Sequence, residues 1–456
     1  TTEILVRDYL IAGIGDSIAA GEGNPDRPVA LADSGFCFRR FGGGEEYFRP
    51  GRAGYRGDKA CDAPDPRSTA GGERDWARHG ARWVSAACHR SLYGHQMRTA
   101  LALAVENPQI AVTFLPLACS GATIEAGLFK AQRARECPPA PAACIRNVPA
   151  QLQQLQDALA QARRQMPERR LDLVLLTIGA NDILFSGLVA DVIIEAPAER
   201  ALLTRGGTIA SVADAQRHLD TELPGNFVRL RAALKPLVGG DLARVVYVSY
   251  GHPALQGGQP CPGGRHGFDV HPAFGVDPNR LRQVADFVSD RFLPRIKDLA
   301  RCEGGTICRE PASDVMTFVD GHQQAFEARG FCARSSGDPV FDRECFSERG
   351  ESFSVNPVVA ATDPMACSQR PSEFRPYAAR ARWIRTANDS YFTAMTFPEG
   401  LPATVQPSDI HDATWGATSA VYGGAIHPTA EGHAAMADAA LPAVRETLGL
   451  SAPTRP

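Results

Sequence analysis

Lysine is nearly absent from this chain: of its 48 basic residues only Lys59, Lys130, Lys235 and Lys297 are lysines, and the other 44 are arginine. We attribute that bias to coding preference rather than to a phosphate-binding surface. Against 51 acidic residues the formal net charge is -3, so there is no global basic field to hold nucleic acid or an anionic membrane. No apolar run approaches the ~20 residues of a membrane helix, the longest lying near Leu173 to Ala180. No transmembrane segment is expected, and the chain reads as soluble. Also missing are a Walker A sequence, an H-E-x-x-H pair and any C-x-x-C spacing. Gly13-Ile14-Gly15 begins like a dinucleotide fingerprint, but position 18, where that motif needs glycine, is Ile18. His89 and His95 stand six apart, and His266 and His271 five apart; neither is a strong metal spacing, and structural or surface roles are expected for them. No cofactor and no metal are expected.

What is present begins with size. The chain has 456 residues, 44% of them hydrophobic, enough for a substantial core. No low-complexity linker or internal repeat divides it, so a single domain over 1–456 is expected. Twelve cysteines read as disulfides and therefore as an oxidising compartment. The start, Thr1-Thr2-Glu3, has neither a charged nor an apolar leader region, which suggests a signal peptide already removed. The pairings expected from the sequence are Cys88–Cys119, Cys137–Cys144, Cys302–Cys308, Cys332–Cys345 and Cys37–Cys61.

Five short, continuous apolar runs read as buried parallel strands: Tyr9 to Ile14, Ile110 to Leu117, Leu171 to Ile178, Ala243 to Ser249 and Val315 to Val319. Helical spacing marks Gln151 to Met166, Pro224 to Leu237, Asn279 to Ala300 and Thr429 to Leu448. Strands alternating with helices predict an α/β fold with a doubly wound, mainly parallel five-stranded sheet. Segments 22–87, 251–278 and 330–415 are rich in Gly and Pro and break that rhythm. They are expected to be insertions held by disulfides over one end of the sheet. The aromatics of the first, Phe36, Phe38, Phe41, Tyr47, Phe48, Trp76 and Trp83, either line a substrate site or form the insertion's own small core.

In open α/β sheets ligands bind beyond the carboxyl ends of the strands. There the sequence supplies Gly15-Asp16-Ser17 after the first strand, Cys119-Ser120-Gly121-Ala122 after the second and Gly179-Ala180-Asn181-Asp182 after the third. Ile426-His427-Pro428 stands just before the last helix. Any one of these is weak evidence, since a Ser after a strand is usually a helix cap and a His-Pro a surface turn. Together they supply a nucleophile, oxyanion donors and a general base, the parts needed for acyl transfer. Asp320-Gly321-His322 reaches the same edge after the fifth strand and reads as a turn.

These four blocks resemble those of the SGNH (GDSL-type) hydrolases. Ala20-Gly21-Glu22-Gly23, Cys88-His89-Arg90-Ser91 and Ala118-Cys119-Ser120-Gly121-Ala122 resemble the secreted bacterial lipases and esterases of that family more narrowly. The resemblance implies the flavodoxin-like SGNH fold and a secreted or periplasmic bacterial enzyme that cleaves carboxylic esters through an acyl-enzyme. It implies Ser17 as nucleophile, His427 as general base, and an oxyanion hole of the Ser17 and Gly121 N–H groups with the Asn181 amide; Asp16 and Asp182 hold their turns. The expected partner is a small-molecule acyl ester or lipid. An O-acetylated carbohydrate is the alternative substrate, and a non-catalytic binding module the alternative from outside enzymology. One departure stands out: the family commonly has aspartate three residues before the histidine, and here that residue is Gly424. The Gly424 carbonyl, or a close neighbour, is expected to orient the imidazole, with Asp412 as the nearest upstream acid a loop could deliver.

Overall fold

The computed structural model describes residues 6–28, 39–40, 47–48, 81–135, 146–195, 197–268, 274–340, 377–394 and 424–451. Five strands form one all-parallel sheet: β1 (Arg7–Gly15), β2 (Ile110–Pro116), β3 (Leu173–Thr177), β4 (Val245–Val248) and β5 (Thr317–Val319). Their order across the sheet is β5-β4-β3-β1-β2. All five lie within the apolar runs read from the sequence, give or take two residues at each end. Every residue of β3 and β4 is buried, which requires cover on both faces and explains why these runs are continuous rather than alternating. β2, at one edge, is only partly buried and alternates at its start.

Helix α1 (Ser17–Ala20) follows β1 directly, and α2 (His95–Glu106) and α3 (Gln151–Arg163) carry the chain to and from β2. After β3 come α4 (Phe185–Ile193) and α5 (Leu223–Leu234). The long helix expected over 279–300 is broken: α6 (Pro278–Phe287) passes through a π-helical turn, Val288–Phe292, into α7 (Leu293–Arg301). Pro294 accounts for the break, because it has no N–H to donate and its ring crowds the carbonyl four residues back. The last helix, α8 (Ala430–Leu448), packs on α2 and on β3, β4 and β5.

Sheet order reverses between β1 and β3, so the two crossovers leaving these neighbours diverge and open a crevice at their carboxyl ends. β1 is held in register to its last residue, with Gly15 opposite Thr177. Gly15 has φ +137°, and any side chain there would overlap the Thr177 carbonyl oxygen. That carbonyl accepts the next N–H, from Asp16, at 3.0 Å. The end of β1 is thereby pinned against β3, which fixes where Ser17 begins α1.

Three disulfides join described residues: Cys88–Cys119, Cys302–Cys308 and Cys261–Cys332. The first two are as expected. The third corrects the Cys332–Cys345 expectation. Residues 330–331 run beside 253–255, with Gly330 N–H donating to Leu255 and Phe331 N–H to Pro253, while Cys261 N–H donates to Ala254. That pairing brings the Cys261 and Cys332 α-carbons to 5.7 Å and ties the second insertion to the third. Cys37, Cys61, Cys137, Cys144 and Cys345 lie outside the described residues, as do Asp412, Phe36, Phe38, Phe41 and Trp76.

Candidate active site

Asp16 shapes the first corner. Fully buried, it caps α1 by accepting the Ile18 N–H at 3.0 Å, and it accepts the Tyr250 hydroxyl at 2.6 Å. Tyr250 in turn accepts the Ala180 N–H at 3.0 Å. The phenol thus bridges the loops after β1 and β3 and sets Ser17 and Asn181 on facing sides of the crevice. Burial pushes the Asp16 carboxyl up to about 7 against the pull of those hydrogen bonds. Asp182 is structural in the same sense. Its carboxylate accepts the Ile124 N–H and the Asn226 amide, locking the loop after β2 to the loop after β3, and burial raises it to about 6.

The Gly121 loop is anchored by Cys88–Cys119 and by the Ser120 N–H donating to the Cys88 carbonyl. Asn181 donates one amide hydrogen to the Ala122 carbonyl at 2.9 Å, which fixes its plane and leaves its second hydrogen available. No carbonyl among the described residues accepts from the N–H of Ser17 or Gly121. Ser17, Gly121 and Asn181 line one arm of the cleft together, with Arg135 beside Gly121.

His427 closes the arrangement. Its Nε2 lies 2.7 Å from Ser17 Oγ, although 410 residues separate them. Its Nδ1 lies 3.0 Å from the carbonyl oxygen of Ala425, and this corrects the Gly424 expectation by one residue. The Gly424 carbonyl is already engaged by the His427 N–H at 3.2 Å, so the tight turn offers the ring the next carbonyl along. Between them Ile426 has φ +61°, a strained conformation for a β-branched residue. A carbonyl only accepts, so the hydrogen sits on Nδ1 and the Nε2 lone pair faces the serine. Burial lowers the imidazole pKa; the Glu22 charge and the Ala425 hydrogen bond oppose it, and Arg135 and His89 reinforce it.

The loop carrying His427 is clamped by the described end of the third insertion. Arg385 N–H donates to the His427 carbonyl, Ile426 N–H to Arg385 and Thr429 N–H to Trp383. The buried Arg385 guanidinium also binds Asn24 Oδ1, and Asn24 donates to the Pro428 carbonyl at 2.9 Å. Sequence reasoning missed Asn24, Tyr250 and Arg385, and reached Ala425 only as a close neighbour of Gly424. Tyr250 could have been found, since it stands two residues past the fourth strand at the same edge; nothing local marks Arg385.

From Ser17 a second arm of the cleft runs between α4 and the π-helical turn. Its walls are mostly apolar, with Ile18, Phe185, Tyr250, Val288, Phe292, Ile384 and Ile426, and Ser186 and Asn181 add polar groups to the lining. The proline-induced break thus places two wall residues, Val288 and Phe292. Other expected positions serve the scaffold: His95 bonds Thr177 in the core, His322 bonds the Ser249 carbonyl, and His89 pairs with Glu22. Trp83, from the end of the first insertion, stacks on His89 with centroids 4.3 Å apart.

No protein-family model and no curated protein matches the chain. Among solved structures it is similar to an extracellular lipase from Streptomyces rimosus, at 16% identity and a TM-score of 0.33, over 74% of this chain and 88% of that one. It is also similar to a phospholipase A1 from Streptomyces albidoflavus, at 15% identity and a TM-score of 0.32, over the same shares.

Proposed function

We propose that the chain is a secreted serine esterase or lipase acting on carboxylic esters through an acyl-enzyme on Ser17. The observation that carries this reading is the continuous hydrogen-bonded line from Ser17 Oγ through the His427 ring to the Ala425 carbonyl, at 2.7 and 3.0 Å. Neutral His427 takes the Ser17 proton on Nε2 as Oγ attacks the ester carbonyl carbon. The oxyanion formed there is met by the Ser17 and Gly121 N–H groups and the second hydrogen of the Asn181 amide. Nε2 then returns the proton to the departing alkoxide, leaving an acyl-serine that water cleaves by the same steps in reverse order of roles.

The apolar arm of the cleft supports an acyl chain as the group bound, in preference to an acetylated sugar, whose hydroxyls would lie unpaired against Phe185, Phe292 and Val288. Three disulfides among the described residues support an oxidising compartment. A p-nitrophenyl ester series of rising chain length, with a fluorophosphonate label mapped by mass, tests the reading. Hydrolysis together with label on Ser17 is expected. Absence of both overturns it and favours a binding module; label on another serine overturns the assignment to Ser17.

A further inference from the structure

We propose that Glu22 is the positioning residue that supplies the negative charge for the His427 imidazolium, in place of the aspartate that residue 424 cannot provide. The inference rests on the Ser17–His427 reading above.

Residue 424 leaves no room for an acid. Gly424 has φ +90°, and a Cβ there would stand 2.6 Å from the Gly23 nitrogen and 3.1 Å from the Glu22 carbonyl carbon. The obstacle is the turn over residues 22–24. This same turn holds the histidine loop from both sides, through Gly23 against Gly424 and through the Asn24 amide on the Pro428 carbonyl. It is also tied to the nucleophile, since the Glu22 N–H donates to the Ser17 carbonyl at 3.0 Å. The segment that excludes an aspartate therefore carries a carboxylate of its own.

Glu22 is completely buried. One oxygen accepts from His89 Nδ1 at 2.7 Å; the other, Oε2, has no hydrogen-bond partner among the described residues and lies 3.9 Å from Arg135 Nε. Burial alone would neutralise such a carboxyl. His89 first, then Arg135 and His427, outweigh it and hold Glu22 below the ordinary glutamate range, so it is charged at neutral pH. Trp83 stacked on His89 keeps that partner in place. Among the described residues, Glu22, Arg135 and His89 act on the His427 charge, while His433, facing it from the last helix, is kept neutral by burial. Glu22 is the anion among them, and its effect on His427 exceeds that of Arg135 or of His89. A burden shared by one aspartate in a triad is here divided: the Ala425 carbonyl sets the tautomer, and Glu22 stabilises the charge.

Glu22→Gln keeps the shape and removes the charge. The acid limb of kcat/KM, which reports neutral His427 in the free enzyme, should move about one unit to lower pH while the plateau kcat falls about tenfold. A purely structural loss lowers the plateau without moving the limb, and an unmoved limb overturns the proposal. Should the glutamine variant fail to fold, Glu22→Asp decides. Its charge, drawn back by one methylene, should shift the limb down by a smaller amount, and no shift in a folded protein again overturns the inference. Ser17→Ala, measured alongside, separates the two claims: residual turnover there sinks the Ser17 reading whatever Glu22 does.

Discussion

The Nδ1 of His427 is bound by the carbonyl of Ala425, two residues back along its own chain. A ring held in this way needs no distant orienting side chain, because the turn that delivers the histidine also fixes its tautomer. The backbone carries the strain, at Ile426, where the left-handed conformation costs on the order of 1–3 kcal/mol. The clamp from Arg385 and Trp383 holds that turn closed.

If His427 is the base that serves Ser17, Ser17→Ala and His427→Gln should each lower kcat by about 10⁴ or more. Fluorophosphonate should label the His427 variant slowly and the Ser17 variant not at all. Rapid labelling of His427→Gln at neutral pH would show that another group activates the serine.

If Asn181 is an oxyanion donor, Asn181→Ala should cost about 10² to 10³ in kcat, roughly 3 to 4 kcal/mol, with KM little changed. Stability should fall by only about 1 kcal/mol, for the lost bond to Ala122. A kcat change below threefold would take Asn181 out of the site.

Tyr250→Phe tests the bridge between the two loops. It strands the buried Asp16 carboxyl and the Ala180 N–H, each costing about 1–3 kcal/mol when unpaired. Chemical unfolding should register that loss, and kcat should fall about tenfold as Ser17 and Asn181 lose their common support. Unchanged stability would mean that the Asp16 carboxyl finds another donor and the Ala180 N–H another acceptor.

The carboxyl of Asp16 makes a signed prediction about pH. Its pKa is raised from 3.8 to about 7, so between those values the folded protein keeps a proton that the unfolded chain releases. The stability this gives is complete below 3.8 and lost as pH rises towards 7. Asp16→Asn fixes the neutral form, so it should gain on the wild type between pH 4 and 8, by at most ~4 kcal/mol. His95, lowered to about 3, and His322, lowered to about 4, slope the other way below 6.5. Both proteins share them, so they cancel in the difference. Denaturant midpoints at pH 4, 6 and 8 give the answer, and a difference flat with pH would refute it.

Much of this arrangement was legible because it is local. A continuous apolar run needs only its neighbours to read as a buried strand, and Ser17, Gly121 and Asn181 each sit a few residues past one. The Cys88–Cys119 and Cys302–Cys308 bridges join segments whose proximity follows from the strand order or from a sequence separation of only 6. Cys261–Cys332 was hidden because it depends on two irregular segments running side by side, a pairing with no periodicity to announce it. The same holds for Arg385, which meets the histidine loop through backbone. Ala425 was reached only as a neighbour of Gly424, for a subtler reason: which carbonyl accepts from the ring depends on the sign of φ at Ile426, and a β-branched residue gives no warning of a positive value.

The last prediction concerns putting the usual acid back. Gly424→Asp restores the familiar spacing on paper, three residues before the histidine. In the fold its Cβ would press on the Gly23 backbone, which cannot swing aside as a side chain could, and the positive φ adds strain. We expect the variant to lose at least ~2 kcal/mol of stability and more than tenfold in kcat/KM, with no gain at any pH. Asp412→Asn, by contrast, should change kcat by less than about tenfold, because the Ala425 carbonyl already occupies Nδ1. A fall near 10⁴ in the Asp412 variant is the size expected when an orienting aspartate is lost, and would mean that this acid reaches His427 after all. Increased activity in Gly424→Asp would show that the turn over residues 22–24 yields, and the division of labour between Ala425 and Glu22 would have to be abandoned.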